Sequence, residues 1–221
     1  MKHQNGSKKR REETREKIVQ KAVELFSQKG YHQTQVMDVV KGIGISAGTF
    51  YNYFKNKKDL FEQVAKENFK QLRISLYEMR GEYDLQSEKN IISKRLNQTY
   101  SAFFDYIEKY PNQFLMLMRS EYEVTNEKDT HGGGILKQFS KDIAEEIQSW
   151  IDRGLAKELN PLITSHITVG MASRLAIAYI TEENFSKQEA VKMLSDFSTS
   201  ALYPYLTELG RQYQQDPQSR N

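Results

Sequence analysis

The chain has 221 residues with a formal net charge of +3, and no stretch approaches 18 consecutive apolar residues, so no membrane-spanning helix is expected. It holds no cysteine, which excludes a disulfide framework, a thiolate metal site and a cysteine nucleophile. The charge is uneven: residues 1–60 carry 13 Lys and Arg against 6 Asp and Glu, whereas the remaining 161 carry 19 against 23. A basic head on a mildly acidic body suits a polyanionic partner, although a solvated charged surface gives the same count.

Residues 1–12 are polar and are expected to be mobile. The basic run Lys8-Lys9-Arg10-Arg11 is followed by Glu12-Glu13 and not by an apolar segment, so no secretory signal is expected and a cytoplasmic protein fits best. A first helix should start near Thr14, with Ile18, Ala22, Leu25 and Phe26 on one face and Gly30 as its stop. A short helix after Thr34 carries Val36, Val39 and Val40 and ends around Gly42. Gly42-Ile43-Gly44-Ile45 reads as a tight turn, and Ser46 as the cap of a helix from Ala47 to Phe54. Asn56, with Asp59 three residues on, caps a long helix from Lys57 to about Glu78. Two short helices joined by a glycine-containing turn are the signature of a helix-turn-helix, here about residues 35–54.

Farther on, helices are expected over Glu88 to Tyr110, Gln113 to Tyr122, Ile135 to Gly154, Pro161 to Thr181 and Ser186 to Tyr203. Pro111 breaks the first pair, and residues 124–134, with Gly132-Gly133-Gly134, read as an exposed loop. The fold class is therefore all-α. A three-helix helix-turn-helix domain (12–72) precedes a larger helical domain (73–210) and a polar tail (211–221).

Between residues 14 and 64, Thr14-Arg15, Ala22, Leu25-Phe26, Gly30-Tyr31, Thr34, Val39, Gly44-Ile45-Ser46, Gly48-Thr49-Phe50-Tyr51, Tyr53-Phe54, Lys57 and Leu60 stand in fixed order. In these residues the chain resembles the TetR family of bacterial transcriptional regulators. Val40 and Ile43 depart from the family's usual alanines. The resemblance implies a dimeric repressor of a near-palindromic DNA operator, with a C-terminal domain that dimerises and holds a small apolar or amphipathic effector. It also implies DNA contacts from Thr49, Tyr51, Tyr53 and Lys57. No metal or cofactor is expected for DNA binding.

The residues themselves support a reading surface. Phe50 and Phe54 lie four apart and should pack inward. Ser46, Ala47, Gly48, Thr49, Tyr51, Asn52 and Tyr53 then face outward, with hydroxyls, an amide and aromatic rings suited to phosphates and base edges. Partial burial between helices is the other reading of the two tyrosines. Lys57, at a helix start, should offer its ammonium and backbone N–H groups to a phosphate. Gln35 and Val36 should lie near a strand backbone, and Lys55 is a weaker candidate.

Effector candidates are Tyr100, Phe103, Phe104, Phe114, Met118, Tyr122, Trp150, Met171 and Arg174, the last suited to an anionic group or to an interface ion pair. Ordinary core packing accounts for the aromatic residues equally well. The last two long helices carry small residues such as Gly170 and Ala176, which permit close approach across a dimer, with Leu194 at the centre of the seam. An enzyme is not expected. His3, His32, His131 and His166 are far apart in sequence, and HExxH, P-loop and GxSxG motifs are lacking.

Overall fold

The computed structural model describes residues 2–78, 91–123, 135–182 and 184–212. The glycine-rich stretch 124–134, the tail beyond 212 and the expected helix start at Glu88 lie outside the described residues, as does the side chain of Tyr122. The described secondary structure is all-α apart from a single backbone bridge, Ala156 with Leu206. Met1–Lys70 with Asn112–Ile135 form one compact unit, and Gln71–Pro111 with Leu136–Asn221 form another.

In the first unit, α1 (Lys2–Gln33) begins twelve residues before the expected start at Thr14. Residues 2–13 are therefore helical, which corrects the expectation of a mobile end. They are mostly Lys, Arg, Glu and Gln, good helix formers, and extending an existing helix needs no new nucleus. Gly30 interrupts α1 at φ 81, ψ 174, a backbone conformation open essentially to glycine alone. Thr34, fully buried, donates its hydroxyl to the Gly30 carbonyl at 2.7 Å and so fixes the chain's exit from the helix. The core of this unit joins Ile18, Ala22 and Phe26 of α1 to Leu60, Phe61 and Val64 of α4 (Lys57–Glu78), all buried. Phe26 meets Phe61 edge-on with ring centroids 5.2 Å apart.

α4 starts where its cap residues require. Asn56 Oδ1 accepts the Asp59 N–H at 2.9 Å, and Asp59 in turn accepts the Lys55 N–H at 2.8 Å. α5 (Ile91–Lys109) ends before Tyr110, and Pro111 opens α6 (Pro111–Glu123), where a missing N–H costs nothing. α6 buries Phe114, Met116, Leu117 and Met118 and belongs to the first unit, although the sequence reading groups it with the C-terminal domain. Ser27 donates its hydroxyl to Asn112 Oδ1, and Arg119 donates to the Gln28 carbonyl at 2.9 Å, tying α6 to α1.

The second unit is built on α5, α7 (Ile135–Asp152), α8 (Pro161–Glu182) and α9 (Lys187–Leu202). α5 packs along α9, with Tyr100 and Ser198 sharing a buried hydrogen bond of 2.7 Å. Phe104, fully buried, meets Tyr179 of α8 edge-on. Arg73 reaches Asp142 of α7 through two bonds, Nε to Oδ2 and Nη2 to Oδ1. Beyond α9, a 3-10 turn (Tyr203–Tyr205) and α10 (Glu208–Gln212) follow, neither of which the periodicity reveals. They are anchored by backbone bonds from Lys157 to Tyr205 and from Thr207 to Leu155, and by Gly210, where a Cβ would stand 2.0 Å from the Leu155 carbonyl oxygen.

Candidate nucleic-acid interface

α2 (Val36–Ile43) and α3 (Ala47–Tyr51) are held by local chemistry that can be traced residue by residue. Asp38 accepts the Gln35 N–H at 3.1 Å at the start of α2. At its end Gly44 is left-handed at φ 70, with Gly44 N–H bonded to Lys41 O and Ile45 N–H to Val40 O, a Schellman closure. Val39 and Val40 are buried, so the bulkier residue that stands at Val40 in place of alanine is absorbed into the core, while Ile43 stays half-buried. Ser46 caps α3 as expected, accepting the Thr49 N–H at 3.0 Å.

α3 is shorter than the expected Ala47-to-Phe54 helix. Past Tyr51 the bonding tightens, since Tyr53 N–H reaches the Phe50 carbonyl at 2.9 Å while Phe54 N–H still reaches it at 3.1 Å. The seat is nevertheless firm. Phe50 and Phe54 are 0% and 1% exposed, with ring centroids 5.7 Å apart, and the Arg15 guanidinium lies 5.5 Å from the Phe54 ring. Burial of this kind is worth about 1.5–3 kcal/mol per ring, enough to hold a five-residue helix that would not persist alone.

What faces outward is polar or aromatic. Ser46, Gly48 and Asn52 are exposed, Ala47 and Thr49 are half-buried, and Tyr51 is 57% exposed. A side chain at Gly48 would meet nothing closer than Ser46 Oγ at 3.7 Å, so packing within the chain does not demand glycine there. Its effect is to leave the α3 backbone bare on the outward side. Gln35 is exposed and Val36 half-buried at the start of α2. Tyr53 differs from Tyr51: it is half-buried, with the Arg11 guanidinium 5.9 Å from its ring centre. An open cleft of about 690 Å³ runs beside it, lined in part by Arg10, Arg11 and Thr14 of α1 and by Ile45, Thr49 and Tyr53.

The two lysines diverge from the sequence reading. Lys55 is exposed. The Lys57 ammonium, expected to face a phosphate, instead donates to the carbonyls of Tyr31 and Thr34, each at 2.8 Å, and lies 4.3 Å from the Tyr31 ring centre. It closes the break after Gly30, where carbonyls are left over as a helix ends. The sequence signal for this was the pairing of Gly30-Tyr31 with a lysine 26 residues away, which spacing alone does not reveal.

Residues 18–64 match the model of the bacterial regulatory proteins of the tetR family. Over 136 residues the chain is 31% identical to the fatty acid metabolism regulator protein of Bacillus subtilis (strain 168), covering 60% of this chain and 67% of that one. The chain belongs to the tetR family. A second relative in the comparison, the biofilm operon icaADBC negative transcriptional regulator IcaR of Staphylococcus aureus (strain Newman), is 24% identical over 65% of this chain and 72% of its own. The fold agrees with the fatty acid degradation regulator FadR of Bacillus halodurans, TM-score 0.65 at 18% identity over 83% of this chain and 93% of that one. It agrees also with a gamma-butyrolactone receptor, TM-score 0.67 at 14% identity over 93% and 94%. As a tetR-family member, the protein is a DNA-binding transcriptional regulator. No helix among the described residues is long and apolar enough to cross a membrane.

The effector candidates of this tetR-family chain fall in different places. Phe114 and Met118 are buried in the first unit. Tyr100, Phe103 and Phe104 are buried in the second, where Trp150 and Met171 are half-buried. Leu96, Trp150 and Ile151 pack on a small core of Ile92, Ala156 and Leu206. Arg174 is exposed and pairs with Glu182 at 3.7 Å. Leu194, expected at a dimer seam, is 6% exposed and packs within its own chain. The large apolar residues that α8 and α9 turn outward are Leu162, Ile163, Ile167, Met193 and Phe197.

Proposed function

We propose that the chain is a repressor that binds a near-palindromic double-stranded operator as a homodimer and is released by a small apolar or amphipathic effector. The reading rests foremost on the outward surface of α3, where Tyr51, Asn52 and Gly48 stand on a helix end fixed by Phe50 and Phe54. An exposed ring on a rigid support, as at Tyr51, is costly in water and suits thymine methyls and phosphates. In this reading Gln35, Val36, Ser46, Ala47, Thr49, Tyr53 and Lys55 complete the contact surface, and Lys57 takes part through the main chain at the start of α4 rather than through its ammonium. DNA reading belongs to residues 12–72 and effector binding and dimerisation to 73–210.

Dimerisation is supported by the outward residues of α8 and α9, Leu162, Ile163, Ile167, Met193 and Phe197, each 55–61% exposed. Two such helices from each of two protomers make a four-helix seam. Repression is favoured over activation by the negative regulator among the relatives, and a fatty-acyl effector by the fatty acid metabolism regulator. The test is to footprint the protein on its own upstream region, then titrate fatty-acyl, aromatic and cationic lipophilic compounds against the complex. An effector should lower operator affinity by about 1–3 kcal/mol, and operator should weaken the effector equally. If every compound that binds the protein leaves operator affinity unchanged, ligand release is the wrong mechanism. A reporter whose expression falls on deletion of the protein would establish activation instead.

A further inference from the structure

We infer that the N-terminal stretch of α1 is a second DNA-binding element, in which Arg10 and Arg11 grip the phosphate backbone of the duplex that α3 reads. The inference rests on the DNA-binding reading above and adds a surface that lies outside the family-matched residues 18–64. Ser7, Arg10, Arg11 and Thr14 recur at i, i+3, i+4 and i+7, which places them on one face of a helix. That face, with Gly6, is the α1 wall of the cleft whose other wall includes Thr49 and Tyr53.

Charge is sorted across the same helix. Lys8, Lys9, Glu12 and Glu13 are absent from the cleft lining and cancel one another, while both arginines line it without an acidic residue. Among the described residues, neither Arg10 nor Arg11 forms an ion pair, and both are exposed. The Arg11 guanidinium is instead poised 5.9 Å from the Tyr53 ring centre, a support that leaves its N–H groups for an anion. A strand that lies along the outward face of α3 therefore passes a wall carrying two positive charges.

Dimensions decide what those charges meet. A helix with side chains is about 10–12 Å across. The B-DNA minor groove is about 6 Å wide, so this helical stretch is too broad to enter it and read bases as an extended arm does. Phosphates remain, and they are contacted without regard to sequence.

The test uses the full chain with its operator and with a random duplex, across a range of salt. Arg10→Gln/Arg11→Gln should weaken binding to both duplexes. Its log–log salt slope should fall in magnitude by about 1.8 per protomer, at about 0.9 per lost phosphate contact, which is about twelvefold across a fourfold change in salt. Arg10→Lys/Arg11→Lys should keep the slope, because charge is what the phosphates need. Wild-type affinity and slope in the glutamine variant would overturn the inference while leaving the α3 reading intact. Equal losses in the lysine and glutamine variants would also overturn it, by showing that arginine packing on Tyr53 and not charge is at work. Failure of the wild-type chain to bind any duplex would instead remove the DNA-binding reading and the inference together.

Discussion

Replacing Lys57 with Met keeps most of the aliphatic stem and removes only the ammonium. That group makes two 2.8 Å bonds to main-chain carbonyls and sits 4.3 Å from the Tyr31 ring centre. A hydrogen bond to a charged group is worth about 1.5–3 kcal/mol, and a carbonyl left without its donor costs further. Lys57 is only half-buried, so water recovers part of both losses, and a net cost of about 2–3 kcal/mol is expected. In a chain of this length each kcal/mol lowers the melting temperature by about 2–4 °C, so the midpoint should fall by about 5–10 °C. The urea midpoint, measured beside Lys58→Met as an exposed control whose Glu62 partner lies 3.9 Å away, reports the same loss. Operator binding measured well below the new midpoint should keep its salt slope. A variant with an unchanged urea midpoint and a slope reduced by about 0.9 would refute this reasoning, because the ammonium would then be spent on a phosphate.

Phe197→Glu, at an exposed position of α9, should leave a folded monomer in sedimentation with operator binding lost, whereas Leu194→Glu, buried in its own chain, should unfold; a dimeric Phe197→Glu places the interface elsewhere. Thr49→Ala should cost about 1–3 kcal/mol on the operator and little on random duplex, and equal losses on both would make Thr49 a backbone contact only. The Asp59 carboxylate is held below its ordinary range, first by the Gln63 amide and then by the Lys55 N–H. Its folded pKa therefore lies below the unfolded one, so its contribution is full above about pH 5 and is lost as pH falls through the folded value. The stability gap between wild type and Asp59→Asn should narrow below pH 3.8 in urea titrations, and a gap that widens with acid would reverse the sign.

Where a boundary is written in a cap, the sequence made it legible. Ser46, Asn56 and Ser186 each stand at the start of the helix they announce, and Gly30 marks an end at φ 81. Pro111, expected as a break before a helix from Gln113, itself opens α6, and α2 runs past the expected end at Gly42 to Ile43, with Gly44 at φ 70 as its cap. Where a segment lacks an apolar period, as in residues 2–13, pattern gives no warning of helix. Choosing which face is inward also exceeded pattern. Met193, Leu194 and Phe197 are all apolar, and only the packing of α5 along α9 turns Leu194 in and the other two out. The site divided in the same way: the seat of Phe50 and Phe54 followed from a four-residue spacing, but the Lys57 ammonium was claimed by carbonyls more than twenty residues upstream.

The brevity of α3 then has a physical consequence for recognition. Five helical residues, Ala47–Tyr51, make few bonds of their own, so the orientation of the reading surface is set by its supports: the Ser46 cap, the Gly44 closure and the two buried rings. Each support is fixed before any ligand arrives, so little ordering entropy is left to be lost on binding. The side chains the sequence leaves outward, Thr49, Tyr51 and Asn52, are short or have only two χ angles, and they lose less rotamer freedom on contact than Lys or Arg in the same places. The long cations are kept to the margins, with Arg11 steadied by Tyr53 and Lys57 tied to carbonyls. On the proposed reading, base-edge discrimination would fall to stiff residues on a stiff support, and the sequence-blind attraction of the duplex to the arginines at its margin.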